Sequence, residues 1–310
     1  MILAFDTSCY TTSIAVLDAD SRLLKDKRRL LSVEQGALGL RQSEALFQHV
    51  RALPNLLEAA LDGIPTTSIL AVAASCRPRP QSDSYMPVFL AGQEAAHLMS
   101  AAWACPYWEF SHQEGHIAAA LWSLGLDWHE PFLAVHLSGG TSEILLAQRQ
   151  EGGFALEIAC SSDLPAGQFI DRVGVALGLP FPAGPALEQL ALSVPLTGLT
   201  LRGSVKGAQM SFSGPESAAQ RLIGQGVEGA ALAQAVFSNI GQSLGQSLQT
   251  LAESSGYRKA LITGGVAANS LIRAHLKRQA RGLELYFSTP AYAGDNAVGI
   301  AALAVAQLRA

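Results

Sequence analysis

Phe132-Leu133-Ala134-Val135-His136-Leu137-Ser138-Gly139-Gly140-Thr141-Ser142 is the stretch that decides the fold of this chain. An apolar run suited to a buried strand ends in a glycine turn, and Glu143 to Ala147 resumes as a return strand. The chain opens on the same plan. Ile2 to Phe5 is apolar, Asp6-Thr7-Ser8-Cys9-Tyr10-Thr11-Thr12 is a turn rich in hydroxyls, and Ser13 to Asp18 is the return strand. Two hairpins of one design predict a duplicated α/β architecture with a cleft between its halves. A third turn, Thr263-Gly264-Gly265-Val266-Ala267-Ala268-Asn269, follows the strand Ala260-Leu261-Ile262 and leads into a helix through Arg273 and Leu276. A strand, a glycine pair and a helix N-terminus present backbone N–H groups to a phosphate or nucleoside.

Around these turns the periodicity predicts a helix over Ser43 to Leu61 with a kink at Pro54, a strand over Ile69 to Ala74 and a helix over Val88 to Ala104. Pro195 to Gly229, rich in Gly and Ser, reads as a lid or an inter-domain surface. Asp127 to Pro131 is the best boundary. The expected domains are therefore 1–127 and 128–294, with the last helix, about 295–310, packing back on the first.

With 310 residues, 49% of them hydrophobic and 15% charged, the chain is long and apolar enough for two packed domains and is not disordered. A net charge of −4 argues against gripping nucleic acid by bulk charge alone. Arg22, Lys25, Lys27, Arg28 and Arg29 form a local basic run that reads first as a solvated hairpin edge. Cys9, Cys76, Cys105 and Cys160 lack C-x-x-C spacing and read as reduced, mostly buried thiols of a cytoplasmic protein. The first residues read as a strand and not a signal peptide, and no apolar run has membrane-spanning length.

The chemistry concentrates in Ser111-His112-Gln113-Glu114-Gly115-His116-Ile117. Imidazoles four residues apart on a helix share one face and can share one divalent cation. Asp295, in Ala293-Gly294-Asp295-Asn296, can supply a carboxylate; the alternative role for Asp295 is N-cap of the last helix. Neutral imidazoles and one carboxylate leave a site of charge +1 that still accepts anionic oxygens. Asp6 ends a strand beside the hydroxyl turn and can hold a water or a phosphate-bound cation, or serve as an Asx-turn residue. His49, His97, His129 and His275 have no motif around them and read as packing or surface.

Taken in order, the opening hairpin, the His-x-x-x-His helix, Ser138-Gly139-Gly140, Gly264-Gly265-Val266 with Asn269, and Asp295-Asn296 resemble the TsaD family, formerly Gcp or O-sialoglycoprotein endopeptidase of the M22 peptidase group. Pro106 to Ile117 follows its old signature. Gly167 to Val173, Pro182 to Glu188 and Ser211-Phe212-Ser213-Gly214 are similar to further family segments. The resemblance implies an actin-like ATPase (ASKHA, ribonuclease H-like) fold, two related domains around a nucleotide cleft. It implies an acyltransferase of tRNA processing, N6-L-threonylcarbamoyladenine synthase-like, that moves threonylcarbamoyl from its adenylate to N6 of adenosine 37 in tRNA. It implies one iron or zinc ion on His112, His116 and Asp295, and an adenine nucleotide or acyl-adenylate lined by His136, Leu137, Ser138, Gly139, Gly140, Asp171, Gly184, Asn269 and Glu188. Asp6 is the candidate catalytic residue. TsaB-like and TsaE-like proteins are the implied partners, with no membrane.

The alternatives for Asp171 and Glu188 are solvated helix surface, and for Asn269 a helix cap. The chain resembles a divergent paralogue. Tyr10-Thr11 stands where the family has two acids, Thr141 where it has a His, and Pro215-Glu216-Ser217 where it has Leu-Lys-Thr. Two further readings therefore stand beside the transferase: a carbamoyl transferase with another acceptor, and a nucleotide-binding scaffold without catalysis. A peptidase is disfavoured, because Glu114 follows the first His by two residues and the base of His-Glu-x-x-His proteases follows it directly.

Overall fold

The computed structural model describes residues 1–8, 10–33, 40–81 and 83–309, so the thiol expected at Cys9 lies outside the described residues. The chain divides into two compact units. The first is Met1–His129, Arg149–Ala155 and Ala291–Ala310, and the second is Glu130–Gln148 and Leu156–Pro290.

In the first unit, β1 (Ile2–Asp6) and β2 (Thr11–Leu17) form the opening hairpin, with Asp6 opposite Ser13. β3 (Leu23–Leu30) extends it antiparallel at one edge, while β4 (Ala71–Arg77) and β5 (Tyr107–Ser111) add in parallel on the other side. The order is β3-β2-β1-β4-β5. β1 and β2 are buried at every position, as strands sandwiched between helices must be. α1 (Gln42–Leu61) and α2 (Phe89–Trp103) cover the face carrying Leu3, Phe5, Ile14, Val16, Val72 and Ala74. α1 runs on through Pro54. α3 (His112–Ser123) follows β5 directly.

The second unit repeats the plan. β6 (Phe132–Leu137), β7 (Ser142–Gln150) and β8 (Gly153–Ser161) come first. They are followed by α4 (Ala166–Ala176), α5 (Gly184–Leu192), the short ribbon β9 (Ser204–Lys206) and β10 (Gln209–Ser211), α6 (Ser213–Gly224) and α7 (Gly229–Ser255). β11 (Lys259–Thr263), α8 (Ser270–Gln279) and β12 (Glu284–Phe287) complete it. The sheet order is β12-β11-β6-β7-β8, with β6, β11 and β12 parallel and β7 antiparallel to β6. Read from the hairpin edge, both sheets have the order 3-2-1-4-5.

The stretch read as a lid, Pro195 to Gly229, instead contributes to this core. Leu201, Met210, Phe212 and Ala219 are buried in it, because four apolar side chains outweigh a Gly- and Ser-rich composition once a neighbouring helix offers them a face. Phe169, Phe212 and Phe237 are fully buried, each contributing about 1.5–3 kcal/mol over an exposed position. After β12 the chain passes through the short α9 (Pro290–Ala293) to α10 (Val298–Arg309), which lies on β1, β2 and β4 of the first sheet.

Candidate functional site

The first cluster is built from three elements of the first unit. Ser111 ends β5 and caps α3. Its hydroxyl accepts from the Glu114 amide at 3.2 Å, and Glu114 Oε2 accepts from the Ser111 amide at 2.8 Å, a capping box that fixes where the helix starts. His112 is therefore the first helical residue and His116 lies one turn on. Their Nε2 atoms approach to 2.9 Å.

Asp295 arrives on the lead into α10. That helix contacts α3 backbone to backbone, since a Cβ on Gly299 would fall 1.8 Å from the Gly115 carbonyl oxygen. Asp295 Oδ1 then lies 3.5 Å from His112 Nε2 and 3.4 Å from His116 Nε2. The cap role considered for Asp295 falls to its neighbour: Asn296 Oδ1 accepts from the Val298 amide at 3.0 Å. The point equidistant from the three donor atoms lies about 2 Å from each, the length of a zinc–nitrogen or zinc–oxygen bond. Two imidazoles and one carboxylate also suit such a borderline cation, so the residues fit a divalent metal.

Asp6 sits behind this cluster. Its Oδ2 faces His112 Nδ1 at 3.1 Å, while Oδ1 accepts from the Ser75 hydroxyl at 2.7 Å and the Ser8 amide at 2.9 Å. An Nδ1–H held by a carboxylate leaves Nε2 as the lone-pair nitrogen aimed at the cluster. Asp6 thus fixes the His112 ring and is itself held by β4 and the turn after β1. Ser75 carries no motif and was not singled out from sequence; its one signal is a hydroxyl closing the buried run Ala71 to Ala74, whereas Glu114 completes a Ser-x-x-Glu capping signature with Ser111. Asp6→Asn is expected to weaken metal binding about 10–100-fold with the fold retained, measured by competition with a chelating dye.

Charge in the metal-free cluster is strongly coupled. Burial would lower the His112 pKa, but the charge of Asp6, the hydrogen bonds to Asp295 and Asp6 and the charge of Asp295 push it up to about 10. Burial and the charged His112 lower that of His116, against the pull of Asp295. Burial would raise the carboxyls of Asp6 and Asp295, yet the imidazoles hold both below the carboxylate range. His112 gains affinity for its proton on folding. Its contribution to the metal-free fold is therefore complete below its unfolded value of 6.5 and fades as pH rises through about 10. A metal at Nε2 must displace that proton. Metal uptake at pH 7 is expected to release about one proton per ion, read by calorimetry in two buffers of different ionisation enthalpy.

The second cluster lies wholly in the second unit. β6 ends at Leu137, and Ser138-Gly139-Gly140-Thr141 turns into β7, closed by the Thr141 amide donating to Ser138 Oγ at 3.0 Å. A Cβ on Gly167, at the start of α4, would meet Ser138 O at 2.7 Å. Gly264, at φ +98°, packs against Leu137 from the neighbouring strand end, where a Cβ would lie 2.1 Å from the Leu137 carbonyl. Asp171 on α4 accepts from the Ala183 amide at 2.7 Å, beside Gly184 at the start of α5. Glu188 on α5 accepts from the Ser270 amide at 2.7 Å, and Asn269 Oδ1 caps α8 through the Ile272 amide at 2.9 Å. Burial raises the Asp171 carboxyl, against that bond.

His136 to Gly140 thus lie at the end of β6 and the turn after it, Asn269 lies beyond the end of β11, and Asp171, Gly184 and Glu188 belong to α4 and α5 of the same unit. Among these, the three side-chain carbonyl and carboxylate groups mainly fix helix starts. The open space belongs to Gly139, Gly140 and Gly265, which have no atom near a Cβ position. Backbone N–H groups and the N-termini of α5 and α8 at such strand ends favour an anion. Of the residues that depart from the family pattern, Tyr10 is exposed and Thr11 is buried at the start of β2.

Two mixed sheets of identical strand order, each clothed by helices, define the class: the actin-like ATPase fold. Solved structures agree. The activator of 2-hydroxyisocaproyl-CoA dehydratase from Clostridium difficile, with bound ADPNP, superposes with a TM-score of 0.56 at 13% identity, covering 99% of this chain and 94% of that one. A ROK family glucokinase from Streptomyces griseus, in complex with glucose and AMPPNP, does so at 0.54 and 14%, covering 97% and 98%. HypF from T. kodakarensis reaches 0.61 at 14%, with 99% of this chain covering 48% of that one.

The profile of the family described as TsaD, tRNA N6-adenosine threonylcarbamoyltransferase, matches residues 34–302. The protein of that name from Thermus thermophilus is 32% identical over 306 residues, 97% of this chain and 90% of its own. The one from Prochlorococcus marinus is 30% identical over 332, covering 99% and 90%. The chain belongs to the TsaD family. No helix among the described residues is long and apolar enough to cross a membrane.

Proposed function

We propose that this chain is a metal-dependent threonylcarbamoyl transferase that moves threonylcarbamoyl from its adenylate to N6 of adenosine 37 in tRNA. The observation that carries the reading is the convergence of His112, His116 and Asp295 onto one point, with Asp6 holding the His112 tautomer. His112, His116 and Asp295 would hold iron or zinc, which would polarise a carbamoyl or phosphate oxygen and stabilise charge as AMP leaves. The glycine turn after Leu137, with the starts of α5 and α8, would hold the adenylate phosphate by backbone N–H groups. In the transfer, the adenine N6 forms a bond to the carbamoyl carbon and loses a proton. The bond from that carbon to the phosphate oxygen breaks, and AMP departs with the electron pair.

One observation favours a second reading, a carbamoyl transferase with another acceptor or a nucleotide-binding scaffold: the opening turn has no acid after Asp6, with Tyr10 and Thr11 in those places. Metal analysis, adenine-nucleotide binding and transfer of labelled threonylcarbamoyl to tRNA, with and without TsaB-like and TsaE-like proteins, separate the two. Label entering tRNA with adenosine at position 37, and not with guanosine there, supports the first. Bound metal and nucleotide with no transfer under any of these conditions leaves the second.

A further inference from the structure

The basic run of the opening hairpin has no part in either cluster, and the fold gives it an order that the sequence does not show. In β3, Lys25, Lys27 and Arg29 stand opposite Val16, Ile14 and Thr12. Val16 and Ile14 belong to the core beneath α1, and the Thr12 hydroxyl bonds to His49 of α1. These three cations therefore share the face on which α1 lies, Lys25 and Lys27 half-buried beside that helix and Arg29 exposed, so their charged ends reach solvent at the free edge of the sheet. Arg28 is on the other face, gripping Asp26 and donating to the Ala291 carbonyl. Among the described residues, Lys25, Lys27 and Arg29 have no ion-pair partner.

β3 is the outer strand of its sheet. Alternate side chains on a strand are about 6.6 Å apart, comparable with the separation of neighbouring phosphates in an extended RNA strand. The row also has a direction. Arg28 pairs with Ser13, and Ser13 pairs with Asp6, so the Arg29 end lies two strands from the residue behind the metal cluster, about 10 Å across the sheet. At that end Tyr10 is 42% exposed and Leu30 75% exposed, joined by the Leu31 amide donating to the Tyr10 carbonyl. A strand charged only to repel other strands gains nothing from an aromatic ring and a leucine bared at its tip.

We infer that the free edge of β3, where Lys25, Lys27 and Arg29 emerge beside α1, is a docking track for a single-stranded or loop segment of RNA, with phosphates on these three cations and a base stacked on Tyr10. Cations in register with phosphates beside an exposed ring are the pattern by which single strands are held. The inference rests on the tRNA reading above and deepens it: the substrate loop would approach the metal cluster along this strand.

The test uses the full chain and a fluorescein-labelled tRNA anticodon stem-loop, with binding followed by anisotropy across a salt series. Combined Lys25→Gln, Lys27→Gln and Arg29→Gln substitution is expected to weaken binding more than tenfold at low salt. It should also flatten the dependence of log Kd on log salt by about 2, from three lost phosphate contacts. Tyr10→Ala is expected to weaken binding about tenfold, and Tyr10→Phe to restore it. Metal content and adenylate binding, measured on the same preparations, should not change, and they report separately on the proposed reaction. Wild-type protein that does not bind the stem-loop overturns the inference, as do variants with unaltered affinity and salt slope. A loss that is equal for heparin and RNA, with Tyr10→Ala silent, also overturns it, because the strand would then be reading charge alone.

Discussion

His116→Ala and Asp295→Ala, made separately, are expected to leave the chain unable to retain metal through gel filtration, with affinity lowered at least about 1000-fold. That exceeds the ~10–100-fold expected when only the carboxylate behind a ligand is changed. The two variants should differ once metal is stripped by chelator. Without Asp295, the protonated His112 keeps only Asp6 as a counter-charge in a buried site, and the metal-free protein should lose about 3 kcal/mol in urea denaturation. Without His116, a neighbour that opposes charge on His112 is gone and mainly packing is lost, so the metal-free protein should lose only about 1 kcal/mol. Wild-type metal content in either variant would rule out the shared-ion centre.

Gly299→Ala should be the most damaging methyl that can be added to the first unit. The new Cβ would meet the Gly115 carbonyl oxygen at 1.8 Å and the Ala119 amide at 2.7 Å. Both are helix backbone and neither can rotate away, so α10 must lift from α3 at a cost of about 3 kcal/mol. Asp295 moves with the helix, and metal affinity falls too. Gly115→Ala is the informative contrast. Its Cβ meets only the Ile300 side chain, at 2.8 Å from Cδ1, which can change rotamer, so the loss should be smaller. Gly174→Ala, which would bring a Cβ 2.3 Å from that of Ala183 in the second unit, should destabilise the protein and leave its metal bound. Thermal melts and metal content on the three variants separate packing from coordination. Loss of metal in Gly174→Ala, or its retention in Gly299→Ala, would contradict the role given to the α3–α10 contact.

The strand–turn–strand plan of both hairpins was legible because a strand buried on both faces leaves an unbroken apolar run, and the glycine turns punctuate it. The candidate ligand pair was legible for a different reason: a helix fixes the spacing of His112 and His116 locally. What supports them was not. Ser75 meets Asp6 across parallel strands, and Glu114 spends one oxygen on its own helix start and turns the other toward the Phe154 amide at 3.4 Å. The Ser75–Asp6 and Glu114–Phe154 contacts are set by tertiary register and leave no periodic trace. The Pro195 to Gly229 stretch misled because composition reports average polarity, while a few anchors such as Phe212 decide burial. Inclusion of Arg149–Ala155 in the first unit has no sequence signal at all. For Asp171, Glu188 and Asn269, the residue types were right for ligand contact and equally right for holding helix starts, and only coordinates show the latter bonds.

The carboxylate of the metal cluster stands on the last segment of the chain, while its imidazoles stand in the first half. During synthesis both histidines leave the ribosome long before the third donor exists. A chain interrupted before Asp295 has the helix but would lack the third donor of the proposed chelate. If the site holds an ion as proposed, its retention would report that α10 has docked on α3, a readout separate from any transfer activity.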